Sequence, residues 1–271
     1  MTAPDAVELS GVELPVGHRL VTFATRPDLA DPVSHFNGSV WATFMLQDSV
    51  ADREWHHTED TWPELQLVLL DGDDRLVATA NTSPLVWDGT DDGLPAGWDG
   101  QLLGAVADHE AGRDPNTLGA LQIVVDPARQ GSGLSGQMLQ GMRALGRERR
   151  MRALIACVRP TWKERYPLVP IERYARWTRA DGLPFDPWIR LHVKLGGRIV
   201  RGVPHAMTIP GTVSDWESWT EMSFPESGDY VVPRGAALVS IDRERDQGIY
   251  HDPNVWVVHD LTAAEPPGSS T

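Results

Sequence analysis

Val125-Asp126-Pro127-Ala128-Arg129-Gln130-Gly131-Ser132-Gly133-Leu134-Ser135 is the stretch of this chain best equipped for chemistry. An apolar run ends at Val125 and small residues follow. A periodic pattern then begins, with Leu134, Met138, Met142 and Leu145 recurring on one helix face. A strand, a small-residue loop and a helix N-terminus together make an anion site. The first-turn N–H groups have no partner inside the helix, and the peptide dipoles add partial positive charge. Gly131 and Gly133 let the backbone approach a phosphate with no Cβ in the way. A glycine pair alone would equally serve a tight turn. A Walker-type loop is excluded, because no Gly-Lys-Ser/Thr follows. A dinucleotide fold is poorly supported, because no βαβ repeat with a ribose-binding acid follows.

Other reactive side chains are weaker candidates. Cys157, the sole cysteine, sits in the apolar run Ala153 to Val158 and reads as a small hydrophobe with no adjacent base. His56 and His57, with Glu59 and Asp60, read as a polar surface loop, since adjacent histidines point in different directions. The interval 159–183 interleaves arginines with Trp162, Tyr166, Tyr174 and Trp177. Such a stretch could bind single-stranded nucleic acid, wall a substrate pocket, or pack on the core. We expect a lid or acceptor wall, with Trp162, Tyr174 and Trp177 as its substrate contacts.

The elements that must position these groups follow from pattern. Strands are expected at Leu20 to Thr25, Leu65 to Leu70, Arg75 to Val86, Leu118 to Val125, Ala153 to Val158 and Arg198 to Ile209. Helices are expected at Val40 to Asp48, with Ser39 as cap, at Gln101 to Gly112, at Gly133 to Arg150 and over 171–180. Another should start at Asp186-Pro187 and stop at Gly196-Gly197. Ala237 to Ile241 and Val255 to His259 are expected to form a late hairpin. The class is α+β (mixed α/β): a central mixed twisted sheet flanked by helices, with a C-terminal β-rich extension. Residues 1–14 and 261–271 read as tails. Residues 15–209 read as one domain carrying the 159–183 insertion, and 210–260 as an extension packed on it.

The 271 residues carry a formal charge of −14, unevenly spread. Residues 121–201 hold 16 Lys and Arg against 6 Asp and Glu, while the remainder holds 8 against 32. A local basic site for an anionic ligand, inside a chain that repels bulk polyanions, accounts for this, and nucleic acid fits poorly. No apolar run approaches the ~20 residues of a membrane span, the N-terminus resembles no leader, and one cysteine permits no intrachain disulfide. A cytoplasmic protein is the expectation.

Gln130 to Ser135, with Val125-Asp126-Pro127 leading in, resembles the pyrophosphate loop Q/R-x-x-G-x-G/A of the GCN5-related N-acetyltransferase family. Ser135 stands where that family has Gly or Ala. Leu191-His192-Val193-Lys194-Leu195-Gly196-Gly197-Arg198 resembles the family's L-Y-x-K-x-G-F segment. The resemblance implies acetyl-CoA or another acyl-CoA in a V-shaped opening between the strands ending at Val125 and Val158. Val125, Arg129, Gln130, Gly131, Ser132, Gly133, Leu134 and Ser135 would then be the cofactor-binding residues. Arg129, and less so Arg143 or Arg147, would reach the 3′-phosphate. His192 takes the place of the tyrosine that protonates the leaving sulfur, so it becomes the catalytic candidate. The strand 118–125 lacks the family's usual glutamate and offers only Gln122. Glu59, Asp60, Asp108, His109 and Glu110 remain as general bases acting through water. The implied function is acyl transfer to an amine or hydroxyl of a small molecule. A transfer-inactive module that binds CoA or an acyl carrier is the alternative, and a homodimer is compatible with either.

Overall fold

The computed structural model describes residues 5–263. Nine strands form one sheet: β1 (Arg19–Thr22), β2 (Leu67–Leu70), β3 (Leu76–Leu85), β4 (Thr117–Val125), β5 (Ala153–Val158), β6 (Arg198–Gly211), β7 (Gly228–Val231), β8 (Leu238–Asp242) and β9 (Gln247–Asp260). The helices are α1 (Ala30–Val40), α2 (Ser49–Glu54), α3 (His57–Asp60), α4 (Gly97–Glu110), α5 (Leu134–Glu148), α6 (Ile171–Tyr174), α7 (Pro187–Lys194) and α8 (Val213–Thr220). Strands pair in the order β1-β2-β3-β4-β5-β9-β8-β7, and β6 joins the other edge of β9. Only β4 and β5 run parallel. Helices cover both faces. A Cβ on Gly146 of α5 would meet Leu118, whereas a Cβ on Gly119 would meet Gln101 of α4. Consecutive strand residues point to opposite faces, so α5 and α4 lie on opposite sides of β4.

The central strands are continuous apolar runs because both faces are covered. Leu67 to Leu70 and Ala153 to Val158 are buried throughout. The C-terminal β-rich segment is woven into this sheet. β9 pairs with β8 over Gln247–Tyr250 and with β5 over Val255–Asp260. The late hairpin is therefore β8 with the first residues of β9, and the expected pairing of Ala237–Ile241 with Val255–His259 does not form. Val255 to His259 lies further along β9, where β5 and β6 flank it.

Other expectations shift. Of the helix expected at Val40 to Asp48 only a 3₁₀ stretch over Thr43–Gln47 forms; α1 ends at Val40, and Trp41 turns extended (φ −80°, ψ 155°). Ser39 sits inside α1 and donates to the Phe36 carbonyl at 2.8 Å instead of capping. α4 begins at Gly97, earlier than expected, where φ is +90° and a Cβ would stand 2.5 Å from the Ala206 backbone. Only glycine permits that approach of α4 to β6. Where a tail was expected, residues 5–14 pack on the sheet: the Val7 N–H bonds the Leu20 carbonyl at 2.8 Å, and Leu9 is buried. Leu261 is buried likewise, and the rest of the expected tails, 1–4 and 264–271, lies outside the described residues. Among the described residues no helix is long and apolar enough to cross a membrane.

Candidate active site

The glycine loop is built as its composition requires. Asp126 accepts from the Ala128 N–H at 2.9 Å and starts a single 3₁₀ turn over Pro127–Arg129. Gly131 and Gly133 take φ of +80° and +88°. Gly133 is the N-cap of α5 and supplies no side-chain cap, so first-turn N–H groups stay available. A Cβ at either glycine would enter open space. The loop is therefore open at both glycines. Val125, Arg129, Gln130, Gly131, Gly133, Leu134 and Ser135 line a groove of about 620 Å³ there, together with Thr161, Glu164 and Leu191. Ser132 stands outside the lining, its hydroxyl donating to the Arg129 carbonyl at 2.5 Å. The Arg129 guanidinium lines the groove and bonds Asp71 at 2.7 Å. Arg143 is buried in the middle of α5, well beyond the loop.

The sheet itself makes the opening beyond the loop. β4 and β5 pair from Thr117/Ala153 to Ala120/Ala156, and no further. At that point the β3–β4 register slips: Thr82 faces Ala120 while Asn81 faces Gln122, leaving Leu121 as an extra residue. Such a bulge bends and twists its strand. The carbonyls it frees are bonded from α4: Trp98 Nε1 donates to Leu121 at 2.8 Å, and Gln101 Nε2 to Ala120 at 3.1 Å.

A second cavity, about 430 Å³, occupies the gap. It shares Trp41, Met45, Ile123, Arg159 and Trp188 with the loop groove, so the two adjoin. It reaches Leu139, Met142 and His192 on the α5–α7 side. On the other side it reaches Ser34, Asn37, Asp52, Trp55 and Trp98. Trp55 and Trp98 stack at 6.4 Å. Gln122 is held rigidly at the wall: Trp41 Nε1 donates to it at 3.0 Å, and it donates to Asn81 at 3.0 Å.

Charged groups underpin the floor. Asp252, fully buried, accepts from Arg159 Nε at 2.9 Å and from the Tyr250 hydroxyl at 2.6 Å. Asp48 caps α2 through one oxygen, accepting from Val50 and Ala51. Its other oxygen and Asp99 Oδ1 have no N–H partner and are left to share a proton. Burial, and next the Asp48 charge, push Asp99 up to about 7. Asp252 adds to that push, while the Thr208 N–H opposes it. The folded chain thus keeps a proton that an unfolded aspartate has lost, and this contribution falls away as pH rises from about 4 through 7. Asp99→Asn supplies a permanent donor. It should raise stability at pH 8 by about 2 kcal/mol relative to its effect at pH 5, allowing for partial solvation. Urea titrations at the two pH values measure this, and equal effects would refute the shared proton.

His192 is 2% exposed and lines the inner cavity. Burial, and next the neighbouring His259, hold it well below the usual imidazole range. It is therefore neutral at pH 7 and carries one ring N–H. Cys157 also lines the cavity, but burial pushes its thiol far up, which fits the reading of a hydrophobe. Glu59, Asp60, Asp108, His109 and Glu110 do not line the cavity; Asp108 instead accepts from the Val86 N–H and from Arg113. Among the described residues no group of three or more His, Cys, Asp or Glu could hold a metal.

The expected acceptor wall is not where the aromatics lie. Trp162, Tyr174 and Trp177 line neither cavity. Tyr174 is buried, donates to Asp186 at 2.9 Å, and packs with Tyr166, Trp177 and Phe185 over β9. Trp162 packs on Phe185 beneath Arg165. The segment touches the groove through Thr161 and Glu164 instead. Tyr174→Phe should cost about 1.5 kcal/mol by removing a charge-assisted bond, and Trp177→Ala about 2 kcal/mol by truncating a partly buried ring. Both should leave the acceptor KM within about twofold, which steady-state kinetics alongside urea unfolding will test.

The sequence reading missed Trp41, Trp55, Trp98, Asp52, Arg159 and His259. For the three tryptophans the available signal was the count, eleven in 271 residues.

Comparison with known proteins agrees with this geometry. The chain is 33% identical over 283 residues to arginine N-acetyltransferase avaD of Aspergillus versicolor, covering 93% of this chain and 97% of that one. The chain belongs to the GCN5-related N-acetyltransferase family. As a member it is an acyltransferase. No family model matches it. Among solved structures, the loading GNATL domain of CurA from Lyngbya majuscula superposes with a TM-score of 0.57 at 16% identity, over 90% of this chain and 98% of that one. A GphF GNAT-like decarboxylase in complex with isobutyryl-CoA gives 0.57 at 19% identity, over 90% and 99%. At such identities these two speak for the GCN5-related N-acetyltransferase fold alone.

Proposed function

We propose that this acetyltransferase moves an acyl group from acyl-CoA directly to the amine of a small cationic acceptor, arginine or a close guanidine-bearing relative. The observation that carries the reading is the pair of adjoining cavities at the gap in the sheet. A glycine-built N–H cradle stands at one end, and tryptophans with Asp52 stand at the other. Gly131 to Ser135 would hold the pyrophosphate through backbone N–H groups and the α5 dipole. The edge of β4 beyond Ala120, unpaired on the β5 side, would receive the pantetheine amides as a strand neighbour would. That places the thioester near Leu121 to Ile123, beside Gln122 and Cys157.

The acceptor end supports a cation. Stacked Trp55 and Trp98 present faces on which a guanidinium rests, and Asp52 supplies a carboxylate at the rim. The acidic remainder of the chain would draw such a molecule in. The named substrate of the Aspergillus relative points the same way. The test is CoA release from acetyl-CoA with arginine, ornithine, lysine and a neutral amine, with the product identified by mass. Transfer to arginine at least about tenfold better than to the neutral amine is expected. Release with the neutral amine alone would overturn the acceptor, and no transfer to any amine would overturn the reading.

A further inference from the structure

Two buried imidazoles, 67 residues apart in sequence, meet at the inner end of the cavity. His192 Nδ1 and His259 Nε2 lie 3.0 Å apart, bridging α7 and β9. The rings are 2% and 1% exposed. His192 also sits edge-on against Trp188, which lines both cavities. Its other nitrogen, Nε2, has no partner in the protein although the ring lines the cavity. A buried polar atom left unpaired is costly, and such atoms in native proteins mark either water or function.

The tautomer follows from the neighbours. The Leu195 carbonyl favours a proton on His259, without a formed hydrogen bond to its Nδ1. His259 Nε2 then accepts, His192 Nδ1–H donates, and a lone pair remains on His192 Nε2. The guanidiniums of Arg143 and Arg147 on α5 disfavour an imidazolium at His259, which keeps it an acceptor toward His192.

We propose that His192 is the proton carrier of acyl transfer and that His259 is its positioning residue. The proposal rests on the acyltransferase reading above. The acceptor nitrogen's lone pair forms the C–N bond to the thioester carbonyl carbon, and an N–H proton moves from that nitrogen to His192 Nε2. The C–S bond breaks, its electron pair stays on sulfur, and the same proton passes from Nε2 to that sulfur. Amine and thioester become amide and CoA thiol, and His192 is again neutral. This supplies the base that the strand 118–125 lacks.

Three variants test it. His192→Ala should lower kcat about 100-fold or more, leave the acetyl-CoA Kd within about threefold, and recover at least about tenfold with added imidazole. His192→Asn places an amide near the position of Nδ1, keeps the bond to His259, and removes only the unpartnered Nε2, so it should fold normally and lose as much kcat. His259→Leu should remove the acceptor for His192 Nδ1–H and lower kcat without weakening acetyl-CoA. A folded His192→Asn enzyme with kcat within about threefold of wild type would overturn the proposal. So would a His192→Ala enzyme that imidazole does not restore, or one whose kcat and acetyl-CoA affinity fall together. The acyltransferase reading is judged separately, by whether the unmodified protein binds acetyl-CoA and transfers its acyl group.

Discussion

Gly133→Val is expected to lower acetyl-CoA affinity by about a hundredfold or more. Two effects act together. Valine must adopt φ near +88°, a conformation that β-branched residues rarely take. Its side chain then fills the void in front of the first-turn N–H groups of α5, which now stands open. Each charge-assisted bond lost is worth about 1.5–3 kcal/mol, so two suffice for the loss. Gly133→Ala separates the effects. It shares the backbone strain but places only one methyl before the ligand, so it should lower Tm similarly and affinity less. Calorimetric titration with acetyl-CoA and a thermal melt of each variant give both numbers. Wild-type affinity in the valine variant would remove the loop from the binding site.

The second large effect concerns stability. Asp252→Ala should destabilise the fold by about 3–5 kcal/mol, because it leaves the Arg159 guanidinium without its buried partner. Burial disfavours the charge on Arg159, and Asp252 is the leading group that restores it. Asp252 sits where β9 leaves β8 and has not yet met β5, at a break in pairing on that edge. Tyr250 and Arg159 converge on it from either side of the break. Asp252→Asn keeps the shape and an acceptor for Tyr250, and should cost about half as much. Urea unfolding resolves both, and an alanine variant within 0.5 kcal/mol of wild type, about the size of an ordinary surface substitution, would show that the cluster contributes little.

The glycine loop was legible in the sequence because its physics is local. Strand end, small residues and helix start are contiguous, and the positive φ values at Gly131 and Gly133 are what those residue types permit. α7 was legible for the same reason: Asp186 accepts from the Trp188 and Ile189 N–H groups just as an Asp-Pro start suggests. His192 could be picked out by position, but not its role. That depends on His259, which a sequence scan has no reason to place beside it. The aromatics of 159–183 were misassigned because a ring that walls a pocket and a ring that fills a small core look alike in composition. The difference lies in Asp186, which takes the Tyr174 hydroxyl inward. The late hairpin failed because β9 changes partners midway, and no local pattern records where a long strand does so.

The gap between β4 and β5 has a kinetic consequence. One mouth lies at the loop, by Gln130 and Glu164, and the other at Ser34 and Asp52. Neither substrate has to leave before the other arrives. The protein's only cysteine, Cys157, is kept protonated by burial and offers no station where an acyl group would wait. On the proposed reading both reactants would be bound at once, and double-reciprocal plots of initial rate should intersect, as they do not for an enzyme that carries its acyl group covalently between two visits.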